Sequence, residues 1–340
     1  MKKSVIIIAE AGVNHNGDLN KALSLISEAA NAGADYIKFQ TFKTENLVHK
    51  KAQKAAYQIE NTQQGDSQFT MLKQLEISEG WYPKLIAHAR DNKIKFLSTG
   101  FDQESIDFLD KLGCDFFKVP SGEITNKPYL QHIAGKGKPV IVSTGMATKE
   151  EISNAINTLT ESGVARNSIS VLHCNTQYPT DMSDVNLYAM HDIRDSFNVE
   201  IGYSDHTLGI EVPIAAVALG AKIIEKHFTL DQSLPGPDHA ASLTPVELKA
   251  MVIGIRNIEQ AIEGSGMKEP SQSELKNISA ARKSIHTNQN LEEGHVIAAG
   301  DLIMLRPGNG ISPMEIDQVV GKRVLRNLKS GTLLKREDFE

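Results

Sequence analysis

Short runs rich in β-branched and aromatic residues recur along the first 230 residues, beginning near Val5, Tyr36, Lys95, Phe116, Val140, Ile169, Val199 and Lys222. Between them lie stretches, such as 19–32, 104–112 and 149–162, whose apolar positions repeat every three or four residues. The first pattern predicts strands and the second amphipathic helices. Gly33, Gly113 and Gly163 fall where those helices should end, since glycine enters the left-handed cap conformation without a Cβ clash. Eight strands alternating with helices predict an α/β fold of the (β/α)8 TIM-barrel type. A doubly wound sheet, the alternative, more usually has about five or six strands.

A barrel places functional groups at the C-terminal ends of its strands, and here every end is polar. The ends carry Glu10 and Asn14; Lys38 and Gln40; Ser98 and Thr99; Lys118, Ser121 and Glu123; Ser143 and Thr144; Asn175, Thr176 and Tyr178; Asp205 and His206; Glu225 and His227. Alternate residues of a strand share a face, so Lys38 with Gln40, and Glu225 with His227, should point into the barrel. One interval, 44–80, is too long for a simple crossover and rich in Gln and Lys. It reads as a cover or substrate-contacting loop.

A last barrel helix is expected over 254–263, after which the composition changes. Residues 264–273 read as a linker, with a short helix through Ala280. The boundaries are therefore a barrel over 1–263, a linker over 264–281 and a small module over 282–340. Within the module, Leu291, Gly294, Ile297, Asp301 and Leu302 line up with Leu328, Gly331, Leu334, Asp338 and Phe339. That echo suggests two half-units about a pseudo-twofold axis. A module of about 60 residues is near the lower limit of independent stability and should be docked on something.

Hydrophobic content of 40% and charged content of 23% are those of an ordinary globular chain. No apolar run approaches the roughly 18 residues that cross a membrane. The net charge of −6 argues against a nucleic-acid or anionic-membrane partner. Cys114 and Cys174 lie in or beside apolar segments. They imply no disulfide framework, and the cytoplasm is the expected compartment.

Three clusters could carry chemistry. Lys118 with Ser121-Gly122, and Ser143-Thr144-Gly145 before the helix at Lys149, would suit a phosphate dianion. His206 and His227 end successive strands. Either alone could be a capping or core histidine; together they suggest two nitrogens for a divalent ion, with positions left open for substrate. Imidazole with oxygen ligands fits Mn²⁺ better than a closed zinc site. Glu10, Glu123, Glu225 and Asp238 remain as carboxylates for hydroxyls or protons.

The motifs IAEAGVNHNG, KFQTFK, KVPSGE, STGMA, LHCNTQYP, GYSDHT, EKHFT, PGPDH and RPGNGIS, in this order over essentially the whole chain, closely resemble the sialic acid synthase family. The resemblance implies condensation of phosphoenolpyruvate with an N-acetylmannosamine-type sugar to a nine-carbon 2-keto acid and phosphate. It implies a (β/α)8 barrel followed by an antifreeze-like (SAF, β-clip) domain, and a homodimer in which the small domain of one subunit covers the partner's barrel. His206 and His227 then look like the metal ligands, for Mn²⁺ with Mg²⁺ or Co²⁺ as alternatives. Lys38, Thr99, Lys118, Ser121, Ser143 and Thr176 look like phosphoenolpyruvate contacts. Glu10, Gln40, Tyr178 and Asp238 look like sugar contacts, and Arg306 like the residue that the partner's SAF domain places over the N-acetyl group. Gly100 and Gln177 depart from the Pro and Glu of many members and bear on the choice of sugar.

The expected catalytic set is Glu10, Lys118, Glu123 and His227, with Glu123 activating the water that adds at C2. N-acetylneuraminate is the leading product. The alternative is N,N′-diacetyllegionaminate, from 2,4-diacetamido-2,4,6-trideoxymannose. A keto-deoxy sugar-acid synthase would need a second phosphate site, for which there is no spare basic cluster. A non-catalytic carbohydrate-binding protein would not need polar groups at all eight strand ends.

Overall fold

A computed structural model describes residues 4–62 and 67–340. The chain divides into two compact units, one ending at Glu263 and the other running Gly264–Glu340. In the first, eight parallel strands form the barrel: β1 Ile6–Gly12, β2 Tyr36–Thr41, β3 Lys95–Gly100, β4 Phe117–Val119, β5 Val140–Ser143, β6 Ile169–Cys174, β7 Glu200–Asp205 and β8 Ile223–His227. Hydrogen-bonded neighbours run β3-β2-β1-β8-β7-β6-β5-β4, and β3 packs beside β4 to bring the sheet round on itself.

Sequence signals and structure agree closely in the first helix, Leu19–Ala32. Asp18 caps it by accepting from the backbone N–H groups of Asn20 and Lys21, Gly33 ends it at φ 87°, and Ala22, Leu25, Ile26 and Ala29 face the core. The last barrel helix is longer than the expected 254–263 and spans Pro245–Ala261. Thr244 and Glu247 form a capping box there, with Pro245 in the first turn. This T-x-x-E signal marks a helix start whatever the apolar period does.

Inside the barrel an apolar layer of Ile8, Tyr36, Leu97, Ile141, Leu172 and Ile223 fills the lower half. Gly202 completes it where a larger residue has no room: a Cβ there would lie 2.4 Å from the Ile223 carbonyl oxygen and 2.5 Å from Leu172. Burying each aliphatic side chain of this layer is worth about 1.5–3 kcal/mol. The layer forms the floor on which the polar strand ends sit.

Among its described residues the interval 44–80 carries three α-helices, Thr44–Leu47, Ala56–Thr62 and Gln68–Leu75, with residues 48–55 irregular between the first two. Leu47 of the first and Met71, Leu72 and Leu75 of the third pack with Val13, Phe42 and Phe101 in a separate small core. The interval's Gln- and Lys-rich composition hides a few apolar positions at helical spacing. Residues 63–66, within the same interval, lie outside the described residues.

In the second unit, helix Gln272–Ala281 occupies much of the stretch read as linker. Strands β9 Ser284–Thr287 and β10 Leu302–Leu305 pair antiparallel. The echo is structural: Leu291 bridges Leu328, and Leu291, Ile297, Leu302, Leu328, Leu334 and Phe339 share one core. Asp301 and Asp338 each accept from the backbone N–H three residues earlier, at Ala298 and Lys335, both at 2.8 Å. Gly294 and Gly331 both adopt positive φ.

Candidate active site

Each strand turns from apolar to polar two residues above the floor, because alternate positions share the inner face. Ile8 gives way to Glu10, Tyr36 to Lys38, Leu97 to Thr99, Ile141 to Ser143, Leu172 to Cys174 and Ile223 to Glu225. These ends border a cavity of about 300 Å³.

Its base is a buried chain of charges. Lys38 Nζ lies 3.1 Å from Glu10 Oε2 and 2.9 Å from Glu225 Oε2, and donates to Thr99 Oγ1 at 3.1 Å. Lys118 Nζ donates to Glu225 Oε1 at 3.1 Å, and the Ser204 hydroxyl donates to the same oxygen at 3.0 Å. Two ammonium and two carboxylate groups can balance, which makes their burial tolerable. Burial favours protonation of Glu225, but Lys118 and Lys38 together outweigh it and hold the carboxyl well below its usual range. Glu10 has one ammonium, Lys38, at ion-pair distance, and accepts from Gln40 Nε2 at 3.4 Å. Burial therefore dominates, and its pKa rises to about 7. Glu10 Oε2 and Glu225 Oε2 each meet Lys38 Nζ at ion-pair distance as their one close partner among the described residues, so both retain acceptor capacity.

The hydroxyls of Ser121 and Ser143 border the same cavity as Lys118, and Ser143 Oγ, which meets the Cys174 thiol, is buried with no oxygen or nitrogen partner. Gly145, at φ 51°, passes so close to Ser121 and Thr176 that a Cβ would lie 2.4 Å from the Ser121 Cβ. The cradle of hydroxyls thus depends on a glycine. The helix at Lys149 adds nothing to it: a Thr148–Glu151 capping box occupies its first turn, and Glu150 and Glu151 make that turn acidic. A dianion here would be held by side chains and Lys118, not by a helix end.

The rings of Tyr178 and His206 stack with centroids 4.0 Å apart, and His227 lies 5.5 Å from His206. Burial lowers the pKa of His206 to about 4 and that of His227 well below its usual value, so both are neutral near pH 7. The Nδ1–H of His206 donates to the Asn175 carbonyl at 2.5 Å, which leaves its Nε2 lone pair to ligate. His227 Nδ1 is buried with no hydrogen bond and lies 4.0 Å from Asp238 Oδ2. Two neutral imidazoles fit a divalent cation. Among the described residues no group of three or more His, Cys, Asp or Glu side chains could hold one, so the protein would supply two nitrogens and leave the rest of the coordination open.

Asp238, raised to about 6 by burial, is carried by the loop after β8, and the loop after β1 fixes that loop. Asn14 donates to the Phe228 carbonyl and Ser242 Oγ, both at 2.9 Å, and Ser242 in turn donates to the Asp238 carbonyl at 2.7 Å. On the outer side of the same strands, Lys226 bonds Asp205 Oδ2 and the Thr207 carbonyl, with Lys226 and Asp205 fully buried. Asp205 Oδ1 also accepts from the Thr207 N–H at 3.0 Å. This clamp fixes the turn that presents His206.

The structure brings together Glu10, Lys38, Gln40, Thr99, Lys118, Ser121, Ser143, Tyr178, His206, Glu225, His227 and Asp238 around one cavity. Thr176 stands beside it, next to Ser121 and Gly145. Glu123 does not join them: it sits in the short turn Ser121–Glu123, where its carboxylate accepts from Asn126 Nδ2 at 2.6 Å. Ser98 turns to the other face and bonds the Thr41 hydroxyl at 2.6 Å. Arg306 belongs to the second unit, exposed, with Nε donating to the Ala281 carbonyl at 2.9 Å. Sequence reasoning missed Ser204 and Cys174, although each is reached by stepping two residues along a strand face. It also missed Leu47, Met71 and Phe101 on the cavity wall, which no local signal marks.

A profile of the NeuB family matches residues 25–268, and one of the SAF domain matches residues 282–340. The chain is 50% identical over 333 residues to an N,N′-diacetyllegionaminic acid synthase of Campylobacter jejuni, covering 98% of this chain and 99% of the relative. It is 51% identical over 338 residues to an enzyme of the same name from Legionella pneumophila, covering 98% and 94%. Among solved structures, an N-acetylneuraminic acid (sialic acid) synthetase from Leptospira borgpetersenii, in complex with citrate, superposes with a TM-score of 0.71. Its identity is 35%, over 81% of this chain and 90% of that one.

Proposed function

The chain belongs to the NeuB family, and from that premise we propose that it condenses phosphoenolpyruvate with 2,4-diacetamido-2,4,6-trideoxymannose to give N,N′-diacetyllegionaminate and phosphate. The sequence led with N-acetylneuraminate as product. Relatives at 50% and 51% identity over nearly the full chain favour the alternative. The reaction kind, phosphoenolpyruvate-dependent synthesis of a nine-carbon keto acid, is common to both readings. The observation that carries it is a single cavity holding two lysines paired with buried carboxylate, the hydroxyls of Thr99, Ser121 and Ser143, and two neutral histidines.

In this account Lys118, Ser121 and Ser143 hold the phosphate of the enol, and Lys38 with Thr99 orients its carboxylate. A divalent cation, most simply Mn²⁺, held by His206 and His227, would polarise the aldehyde of the open-chain sugar. C3 of the enol attacks C1 of the sugar, forming the C–C bond and an oxocarbenium at C2. Glu10, with its pKa near 7, delivers the proton that the aldehyde oxygen needs. Water adds at C2 and its proton passes to the Glu10 carboxylate, which restores the acid for the next turnover. The tetrahedral intermediate then expels inorganic phosphate by C–O cleavage, leaving the 2-keto acid. Glu123, bound to Asn126 away from the cavity wall, has no part in this scheme. Holding the two reactants in register is worth effective molarities of about 10⁵ M or more, against roughly 10²–10⁴-fold for a single acid or base.

Phosphoenolpyruvate is a cytoplasmic metabolite, so we place the reaction there; no helix among the described residues is long and apolar enough to cross a membrane. The family resemblance supports a domain-swapped homodimer in which Arg306 of one protomer reaches the acetamido group of sugar held by the other. Phosphoenolpyruvate labelled with ¹⁸O at its bridging oxygen tests the chemistry. The label should leave with inorganic phosphate as the nine-carbon acid forms. Label retained in the acid, or no acid from either sugar, would overturn the proposal.

A further inference from the structure

The cavity changes character from floor to rim. Its floor is ionic, whereas beyond the strand ends it is walled by Val13, Leu47, Val48, Met71, Leu72 and Phe101. All but Val48 belong to the small hydrophobic core built by the 44–75 helices, separate from the barrel's own cores. Leu47, Val48 and Leu72 are only half-buried, so alkyl surface is turned to the cavity. Two amides stand among them: Gln58 Oε1 accepts from the Ala55 N–H at 3.0 Å and from Gln68 Nε2 at 3.3 Å, so Gln58 braces Gln68 at the wall.

An alkyl wall discriminates between the two candidate sugars. N-acetylmannosamine carries hydroxyls at C4 and C6. Set against Leu47, Val48 and Leu72, they would lose hydrogen bonds to water and gain no partner. The trideoxy sugar carries a C6 methyl and a second acetyl methyl, which gain from burial, while its second amide can pair with side-chain amides. We propose that the inserted helices are the specificity element of this site: Leu47, Val48 and Leu72 receive the C6 and 4-acetamido methyl groups, and Gln68, braced by Gln58, receives the 4-acetamido amide. The inference rests on the proposed synthase activity and assigns its choice of sugar to residues outside the barrel.

The test compares wild type with Val48→Thr, Leu47→Asn and Leu72→Asn on both sugars, varying each substrate with the other saturating. Apolar pockets separate substrates that differ by a methyl group by about tenfold or more. The wild type should therefore prefer the diacetamido sugar. Each variant should lower kcat/KM for it about tenfold, chiefly through KM, with N-acetylmannosamine turnover within about twofold of wild type and KM for phosphoenolpyruvate unmoved. A wild type that prefers N-acetylmannosamine overturns the choice of sugar, and this inference with it. A wild type that prefers the diacetamido sugar, with variants that lose neither or lose both sugars equally, overturns the inference alone. Val48→Thr keeps the side chain's shape, so it decides the matter if either asparagine variant is poorly folded.

Discussion

Lys38 Nζ and Glu225 Oε2 meet at 2.9 Å with both side chains almost completely buried, at the centre of the barrel mouth. Glu225 answers for two ammonium groups, Lys38 and Lys118. Glu225→Gln would leave them facing each other with only Glu10 to balance them. Removing one partner of a buried pair costs about 3–5 kcal/mol, and the midpoint of chemical denaturation should fall accordingly. The same variant should bind phosphoenolpyruvate poorly, because the lysines that meet the anion are no longer held in place.

The catalytic ranking follows from which side chains face the cavity. Lys118→Ala and His227→Ala should each lower kcat/KM by about 10²-fold or more. Glu123→Gln should stay within a few-fold of wild type, because its carboxylate serves Asn126. Steady-state kinetics of the three variants decides this, and a Glu123→Gln enzyme as inactive as the others would restore Glu123 to the mechanism.

Metal binding has a readout apart from turnover. A ligand that binds only the folded chain raises its thermal midpoint. Mn²⁺ added to chelator-treated protein should do so, and His206→Ala or His227→Ala should remove the shift. A shift of equal size in both variants would place the ion elsewhere.

Stability should fall in mild acid. His15 is fully buried, receives the Gly17 N–H on Nδ1 at 3.0 Å, and has its pKa lowered from 6.5 to about 4, first by burial and then by His239. The unfolded chain therefore binds a proton at higher pH than the folded one. The stabilisation is complete above about pH 6.5 and is lost as pH falls towards 4, amounting to about 3 kcal/mol. Denaturation midpoints at pH 7.5 and 5 should differ more for wild type than for His15→Gln. An equal drop in both would remove His15 from the account.

Much of the site was legible because a strand's two-residue alternation is written directly in sequence: Lys38 with Gln40 and Glu225 with His227 point inward as expected. The same rule, carried back one step from His206, would have found Ser204. Glu123 follows β4 in a turn, where alternation no longer fixes direction, and its carboxylate meets Asn126. The wall residues Leu47 and Leu72 were not legible at all. They approach the cavity through helix packing inside a Gln- and Lys-rich insertion, and only the folded chain brings them to Val13 and Phe101.

The central claim is the identity of the sugar. It is tested most directly by mass spectrometry of products after enzyme, phosphoenolpyruvate and Mn²⁺ are mixed with both sugars in equal amounts. The account predicts a mass for N,N′-diacetyllegionaminate in large excess, absent from a chelator-treated control. N-acetylneuraminate as the dominant product would contradict it.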